Sequence, residues 1–163
     1  NTENSLISLK NVLFGEKESK NFDFSKHNWL GKSEGILVGG NLSILYSLLG
    51  SKSNIDIDGK ILFIEDLDEY LYHIDRMMLA LKRNGYFENL KGLIVGGMTQ
   101  MHDNTIPFGK TAEDIILDNI REYDFPVCFN FPAGHLDDNT ALILGSKVKL
   151  EVNENGTILT NSH

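Results

Sequence analysis

Three short apolar runs, each closing on glycines or carboxylates, constrain this chain more than any other feature. They are Gly35-Ile36-Leu37-Val38-Gly39-Gly40, Lys60-Ile61-Leu62-Phe63-Ile64-Glu65, and residues 90–95 followed by Gly96-Gly97. Runs of this length bounded by turn residues read as buried strands. Between the first two, residues 41–49 have helical spacing, with Asn41 placed to cap the N-terminus and Gly50 the C-terminus. Between the second and third, residues 68–84 bring Leu71, Ile74, Met77, Met78 and Leu81 onto one face, and Asn84-Gly85 ends that helix.

The remainder is read the same way. A helix is expected from Thr111, with acidic residues in its first turn, to about Tyr123. Strands are expected at 126–131 and 141–144. Residues 147–152 alternate, and so does the stretch after Asn155-Gly156, which predicts a terminal β-hairpin. The first 30 residues are less regular: a short helix over 5–14, a polar stretch around 15–20, and an irregular entry segment over 21–31. Strand–helix units followed by antiparallel strands predict a mixed-sheet α/β domain.

Composition narrows the partners. At 163 residues the chain fits one domain with a single sizeable core. A net charge of −8, with the 15 Lys and Arg residues scattered, argues against nucleic acid and against anionic membrane surfaces. No stretch approaches the ~20 apolar residues of a membrane span. Cys128 has no disulfide partner in the chain and lies in an apolar run, so it reads as a small buried hydrophobe. The opening Asn1-Thr2-Glu3-Asn4 is neither a secretion signal nor an initiator start, and the expectation is a piece of a longer protein.

Two places carry chemistry. Glu65 follows four apolar residues, where a carboxylate is partly desolvated and needs a partner. It reads equally as a capping or salt-bridging acid at the mouth of the next helix, beside Asp66, Asp68 and Glu69. His135, 70 residues later, follows the turn Pro132-Ala133-Gly134, which presents an imidazole at a cleft edge or merely in solvent. Strand ends of an α/β sheet are where ligands collect, so Asn41, after Gly39-Gly40, is a candidate substrate contact. His102 with Asp103, and His135 with Asp137 and Asp138, lack the two-histidine spacing of a metal site. No serine sits in a Gly-x-Ser-x-Gly elbow, and Ser43 reads as a capping or packing residue.

Taken in order, these patterns resemble the serine-type LD-carboxypeptidases, a family that includes the microcin C immunity peptidases. The resemblance rests on Gly39-Gly40-Asn41-Leu42-Ser43, Gly59 to Asp66, Tyr72-His73-Ile74-Asp75-Arg76-Met77-Met78, Gly92 to Gly97, and Phe131-Pro132-Ala133-Gly134-His135. It implies two domains and a Ser-Glu-His triad. An N-terminal domain would supply the serine and oxyanion hole, and a swivelling-type β/β/α C-terminal domain the other two groups. By motif the glutamate falls on Glu65, the first acid of the Glu-Asp step, and the histidine on His135. Residues 1–30 would then be interdomain connection and 31–163 the C-terminal domain, inactive without its nucleophile domain.

The implied reaction releases terminal D-alanine from murein tetrapeptides in peptidoglycan recycling and uses no metal or organic cofactor. A bacterial, cytoplasmic protein, often a homodimer, is the implied setting. Two other readings stay open: an immunity peptidase acting on a microcin-type peptidyl-nucleotide, and a non-catalytic binding or assembly module of the same fold.

Overall fold

The computed structural model describes residues 2–15 and 19–162. The polar stretch expected at 15–20 lies partly outside these residues, and His163 wholly outside. Along the chain run α1 (Glu3–Leu13), β1 (Ser19–Phe22), β2 (Gly31–Asn41), α2 (Leu42–Leu48), β3 (Ile61–Leu67) and α3 (Leu71–Arg83). They are followed by β4 (Gly92–Thr99), α4 (Ala112–Ile120), β5 (Val127–Cys128), β6 (Lys147–Asn153) and β7 (Gly156–Asn161). The strands form one seven-stranded sheet in the order β1-β7-β6-β2-β3-β4-β5. Neighbours from β2 to β5 are parallel, whereas β2–β6, β6–β7 and β1–β7 are antiparallel. This is the mixed-sheet α/β architecture expected. No helix among the described residues is long and apolar enough to cross a membrane.

The period of two along β3 divides the core. Leu62 and Ile64 pack with Ile74, Met77, Met78 and Leu81 of α3 and with Ile115, Ile116 and Ile120 of α4. Ile61 and Phe63 face the other way, onto Leu37, Phe131, Ala133, Val148 and Leu150. Successive strand side chains point to opposite faces. The same alternation therefore sends Glu65 to the Phe63 side and Asp66 to the helix side.

Several element ends differ from the sequence reading. The Gly-Gly pairs do not end strands: β2 continues through Gly39 and Gly40 to Asn41, and β4 continues through Gly96 and Gly97 to Thr99. Gly39 and Gly96 serve close approach. A Cβ on Gly96 would lie 2.3 Å from the Ala133 carbonyl oxygen and 2.8 Å from the Phe63 ring. One on Gly39, whose φ is +129°, would sit 1.9 Å from the Phe63 carbonyl oxygen.

The helix expected from Asp68 begins at Leu71, because β3 runs on to Leu67 and Asp68 turns the chain at φ +61°. Tyr70 caps it without a side-chain bond. Glu69 and Leu71 instead exchange backbone hydrogen bonds with His102. Of the strand expected at 126–131, only Val127 and Cys128 pair with β4. Residues 141–144 form no strand. They pass as a loop beside α1, where Ala141 N–H donates to Ser8 Oγ. The entry segment is more ordered than expected: β1 takes the sheet edge beside β7, and Trp29 bridges to Val127.

Helix α4 starts where expected and is closed by a capping box. The Thr111 hydroxyl accepts from Asp114 N–H, and the Asp114 carboxylate accepts from Thr111 N–H.

Replacing Gly96 by Ala forces the Ala133 segment off the sheet. The expected cost is about 3 kcal/mol, measured as a lower urea midpoint with an unchanged m-value. An unaltered midpoint would show that the close approach at Gly96 is not tight.

Candidate active site

Glu65 lies near the end of β3 with a side chain only 7% exposed. A carboxylate in that position needs donors, and one residue supplies two. His135 donates to Glu65 Oε2 from its backbone N–H at 3.2 Å and from Nδ1 at 2.8 Å. A carboxylate oxygen accepts, so Nδ1 is the donor of this contact and Nε2 is the ring nitrogen it leaves open. The imidazole itself is 51% exposed. The result is an imidazole held at its Nδ1 edge, with its other nitrogen left open by this contact.

The loop that brings His135 here is built from short-range geometry. Phe131 and Ala133 are buried, and Phe131 stacks obliquely on Phe22 with ring centroids 4.4 Å apart. The Ala133 carbonyl accepts from Gly97 N–H at 3.0 Å, pinning the loop to β4. Gly134 then passes directly over Glu65 at φ +115°. A Cβ there would fall 2.7 Å from Oε2 and 2.9 Å from Cβ and Cγ of Glu65. Only glycine permits both the dihedral and the approach. Gly134 N–H donates to Asn139 Oδ1 at 3.1 Å, and Thr99 Oγ1 donates to the His135 carbonyl at 3.3 Å.

Asp66, one residue along, does different work. It is buried, and its carboxylate accepts Asn41 Nδ2 at 2.9 Å, Leu67 N–H at 2.9 Å and Ser43 N–H at 3.0 Å. It thereby clamps the end of β2 to the start of α2. Asn41 lies at the same strand-end edge, but most of its amide is committed. Besides the bond to Asp66, its Oδ1 accepts from Ile44 N–H at 3.1 Å and from Ser43 Oγ at 2.7 Å. Ser43 is thus a capping-network residue.

The other titratable candidates stand apart from the pair. His73 Nδ1 meets Glu69 at 2.6 Å, His102 pairs with Asp68, and the His27 ring lies edge-on to Phe129. Asp138 turns away to the first turn of α1, accepting from Thr2 and Asn4. Cys128 is buried, and burial pushes its thiol up to about 12, so it is not a thiolate at neutral pH. Among the described residues, no group of three His, Cys, Asp or Glu side chains is placed to hold a metal ion.

Comparison with known proteins decides the family. The sequence model of the LD-carboxypeptidase C-terminal domain matches residues 34–150. The chain belongs to that family. It is 38% identical over 133 residues to a probable murein peptide carboxypeptidase of Bacillus subtilis, covering 79% of this chain and 40% of that protein. It is 28% identical over 136 residues to the microcin C7 self-immunity protein MccF of Escherichia coli, covering 82% and 38%. Among solved structures, it matches the muramoyltetrapeptide carboxypeptidase of Oxalobacter formigenes with TM-score 0.90 at 25% identity, over 99% of this chain and 55% of that one. MccF in complex with glutamyl sulfamoyl guanosine matches with TM-score 0.72 at 26% identity, over 83% and 40%. The LD-carboxypeptidase-like chain therefore spans about 40% of the length of these two curated relatives.

Asp66 gives a pH-dependent test of its clamp. Burial is the largest influence on this carboxyl and raises its pKa above the usual 3.8, against the three hydrogen bonds it accepts. The folded state then holds the proton more tightly than the unfolded chain. The group's stabilising contribution is complete below pH 3.8 and is lost as pH rises through the raised value. Asp66→Asn removes this descending component, so the pH profile of its urea midpoint should lack the fall above pH 3.8 that Asp66 contributes. The variant should also be less stable throughout, by about 2–4 kcal/mol, because an amide cannot accept all three donors. Parallel profiles for the two proteins would refute the assignment.

Proposed function

We propose that this chain is the part of a serine peptidase that supplies Glu65 and His135 to a Ser-Glu-His triad, with the serine on a separate N-terminal domain. One observation carries the reading: a strand-borne, nearly buried carboxylate holds the Nδ1 edge of a half-exposed imidazole at 2.8 Å. That is the arrangement of an oriented general base awaiting a nucleophile. His135 Nε2 would take the hydroxyl proton as the serine oxygen attacks the scissile carbonyl, then give it to the departing amine. Water would repeat the cycle on the acyl-enzyme. Glu65 would fix the tautomer and stabilise the imidazolium.

The substrate class follows from the family. Relatives named murein peptide and muramoyltetrapeptide carboxypeptidase favour release of the terminal D-alanine from a murein tetrapeptide. This would belong to peptidoglycan recycling in a bacterial cytoplasm. The similarity to MccF favours, as the second reading, a peptidyl-nucleotide substrate at the same pair. A purely non-catalytic module has less support, since it would have no use for an oriented imidazole.

An N-terminal domain would also account for the character of α1. This helix buries none of its side chains, and Leu6, Leu9, Leu13 and Phe14 remain 48–76% exposed. An isolated helix of this length is marginal in water. An N-terminal domain packed against residues 1–30 would cover it.

In the full-length protein, His135→Ala should lower turnover by orders of magnitude with the fold intact. Glu65→Gln should cost up to roughly 10⁴-fold, the scale seen when the orienting acid of a triad becomes an amide. D-alanine release from a murein tetrapeptide and cleavage of a microcin-type conjugate, measured side by side, separate the two substrates. The isolated 163 residues should turn over neither. Wild-type turnover by the His135 variant, or by the isolated chain, would sink the reading.

A further inference from the structure

The loop carrying His135 has few partners in the sheet. Between β5 and β6 the backbone runs 18 residues, 129–146, with no ladder of its own. Loops of that kind are ordinarily among the least stable parts of a domain. Here some of the backbone donors are taken up by side chains, and α1 supplies two of those acceptors. Asn139 N–H donates to Ser5 Oγ at 2.7 Å, and Ser5 Oγ reaches the Asp137 carbonyl at 3.4 Å. Ala141 N–H donates to Ser8 Oγ at 3.0 Å. Ser5 and Ser8 lie three residues apart, on one face of the helix. Thr2 and Asn4 hold Asp138 at the first turn.

We propose that α1 positions the catalytic histidine, with Ser5 and Asn139 as its positioning residues. The connection is continuous. Ser5 fixes the Asn139 backbone; Asn139 Oδ1 fixes Gly134 N–H; Gly134 lies against Glu65 with no room for a Cβ; and His135 follows directly. Releasing Ser5 frees Asn139 to turn, loosens the Gly134 turn, and lets the His135 N–H and Nδ1 bonds to Oε2 lengthen. Helix α1 precedes residue 34, where the family match begins. On the functional reading given above, it also lies toward the nucleophile domain, so the placement of that domain would bear on the posture of the base.

The test begins with the 163-residue chain and needs no turnover. Long-range ¹H–¹⁵N correlation of the His135 ring reports which nitrogen carries the proton, and exchange of Gly134 N–H reports the turn. Wild type should show the Nδ1-protonated tautomer and a protected Gly134 amide. Ser5→Ala should give a mixture of tautomers and faster Gly134 exchange, and Ser5→Thr, which keeps the hydroxyl, should restore both. Asn139→Ala leaves the contacts of α1 intact and should reproduce the Ser5→Ala spectrum, which covers the case in which Ser5→Ala unfolds the chain.

In the full-length protein both alanine variants should lose about 10- to 100-fold in kcat, the cost of a base displaced by about 1 Å, with KM changed by no more than about twofold. A folded Asn139→Ala variant with the wild-type ring tautomer and Gly134 protection overturns the proposal. Loosened spectra in a full-length protein that cleaves neither substrate would overturn the functional reading and leave the positioning role standing.

Discussion

A carboxylate as buried as Glu65 must receive its donors where it lies, and much of the surrounding chain is arranged to deliver them. Two come from one residue, His135, through its backbone N–H and its ring. For both to reach a single oxygen, the preceding residue must cross the carboxylate at less than ordinary side-chain distance, which restricts position 134 to glycine. For the loop to arrive at that height, the Ala133 carbonyl must settle onto β4, which leaves no volume for a side chain at Gly96. The glycines at 96 and 134 therefore follow from one buried carboxyl group. Removing either partner of such a contact costs more than the bond itself, because the other is left without compensation.

The step from Glu65 to Asp66 shows how a strand separates chemistry from scaffold. The two acids are chemically near-identical and adjacent, and both are buried. The alternation of β3 places the first against the histidine loop and the second against the helix layer, where it joins Asn41, Ser43 and Leu67. Exchanging the roles would require a one-residue slip of β3, which would also turn Ile61 to Ile64 inside out. The hydrophobic core thus dictates which carboxylate meets the imidazole.

What could be read from the sequence follows the same logic. The apolar face of α3, the Asn41 cap, the acidic start of α4 and the Asn155-Gly156 hairpin are legible because each is a local pattern with a short period. Gly39 and Gly96 look like strand ends in the sequence because a glycine demanded by a distant carbonyl resembles, in one dimension, a glycine demanded by a turn. Residues 141–144 looked like a strand because they are apolar, but the partners of that segment include a helix side chain rather than a neighbouring ladder. Spacing alone left Glu65 open between two readings and His135 a loop histidine; the ordered motifs of the family drew them together. Asn139 and Ser5 left no trace, since a side chain bonding to backbone more than 130 residues away creates no periodicity.

The unequal exposure of the pair, 7% for the acid and 51% for the base, fits a site shared between two surfaces. An imidazole half in water spends its open nitrogen on solvent, and a base is effective only where its nucleophile is held within hydrogen-bond reach and water is displaced. What would prepare such a base lies within this chain: the Nδ1 contact, the orientation of the ring, and the glycine-lined seat of its loop. What would make it act, a nucleophile and a surface that dries the cleft, has to approach from outside Nε2. On the proposed reading, a domain organised in this way holds its acid–base pair assembled within one chain, and the reaction would wait on the second surface closing over it.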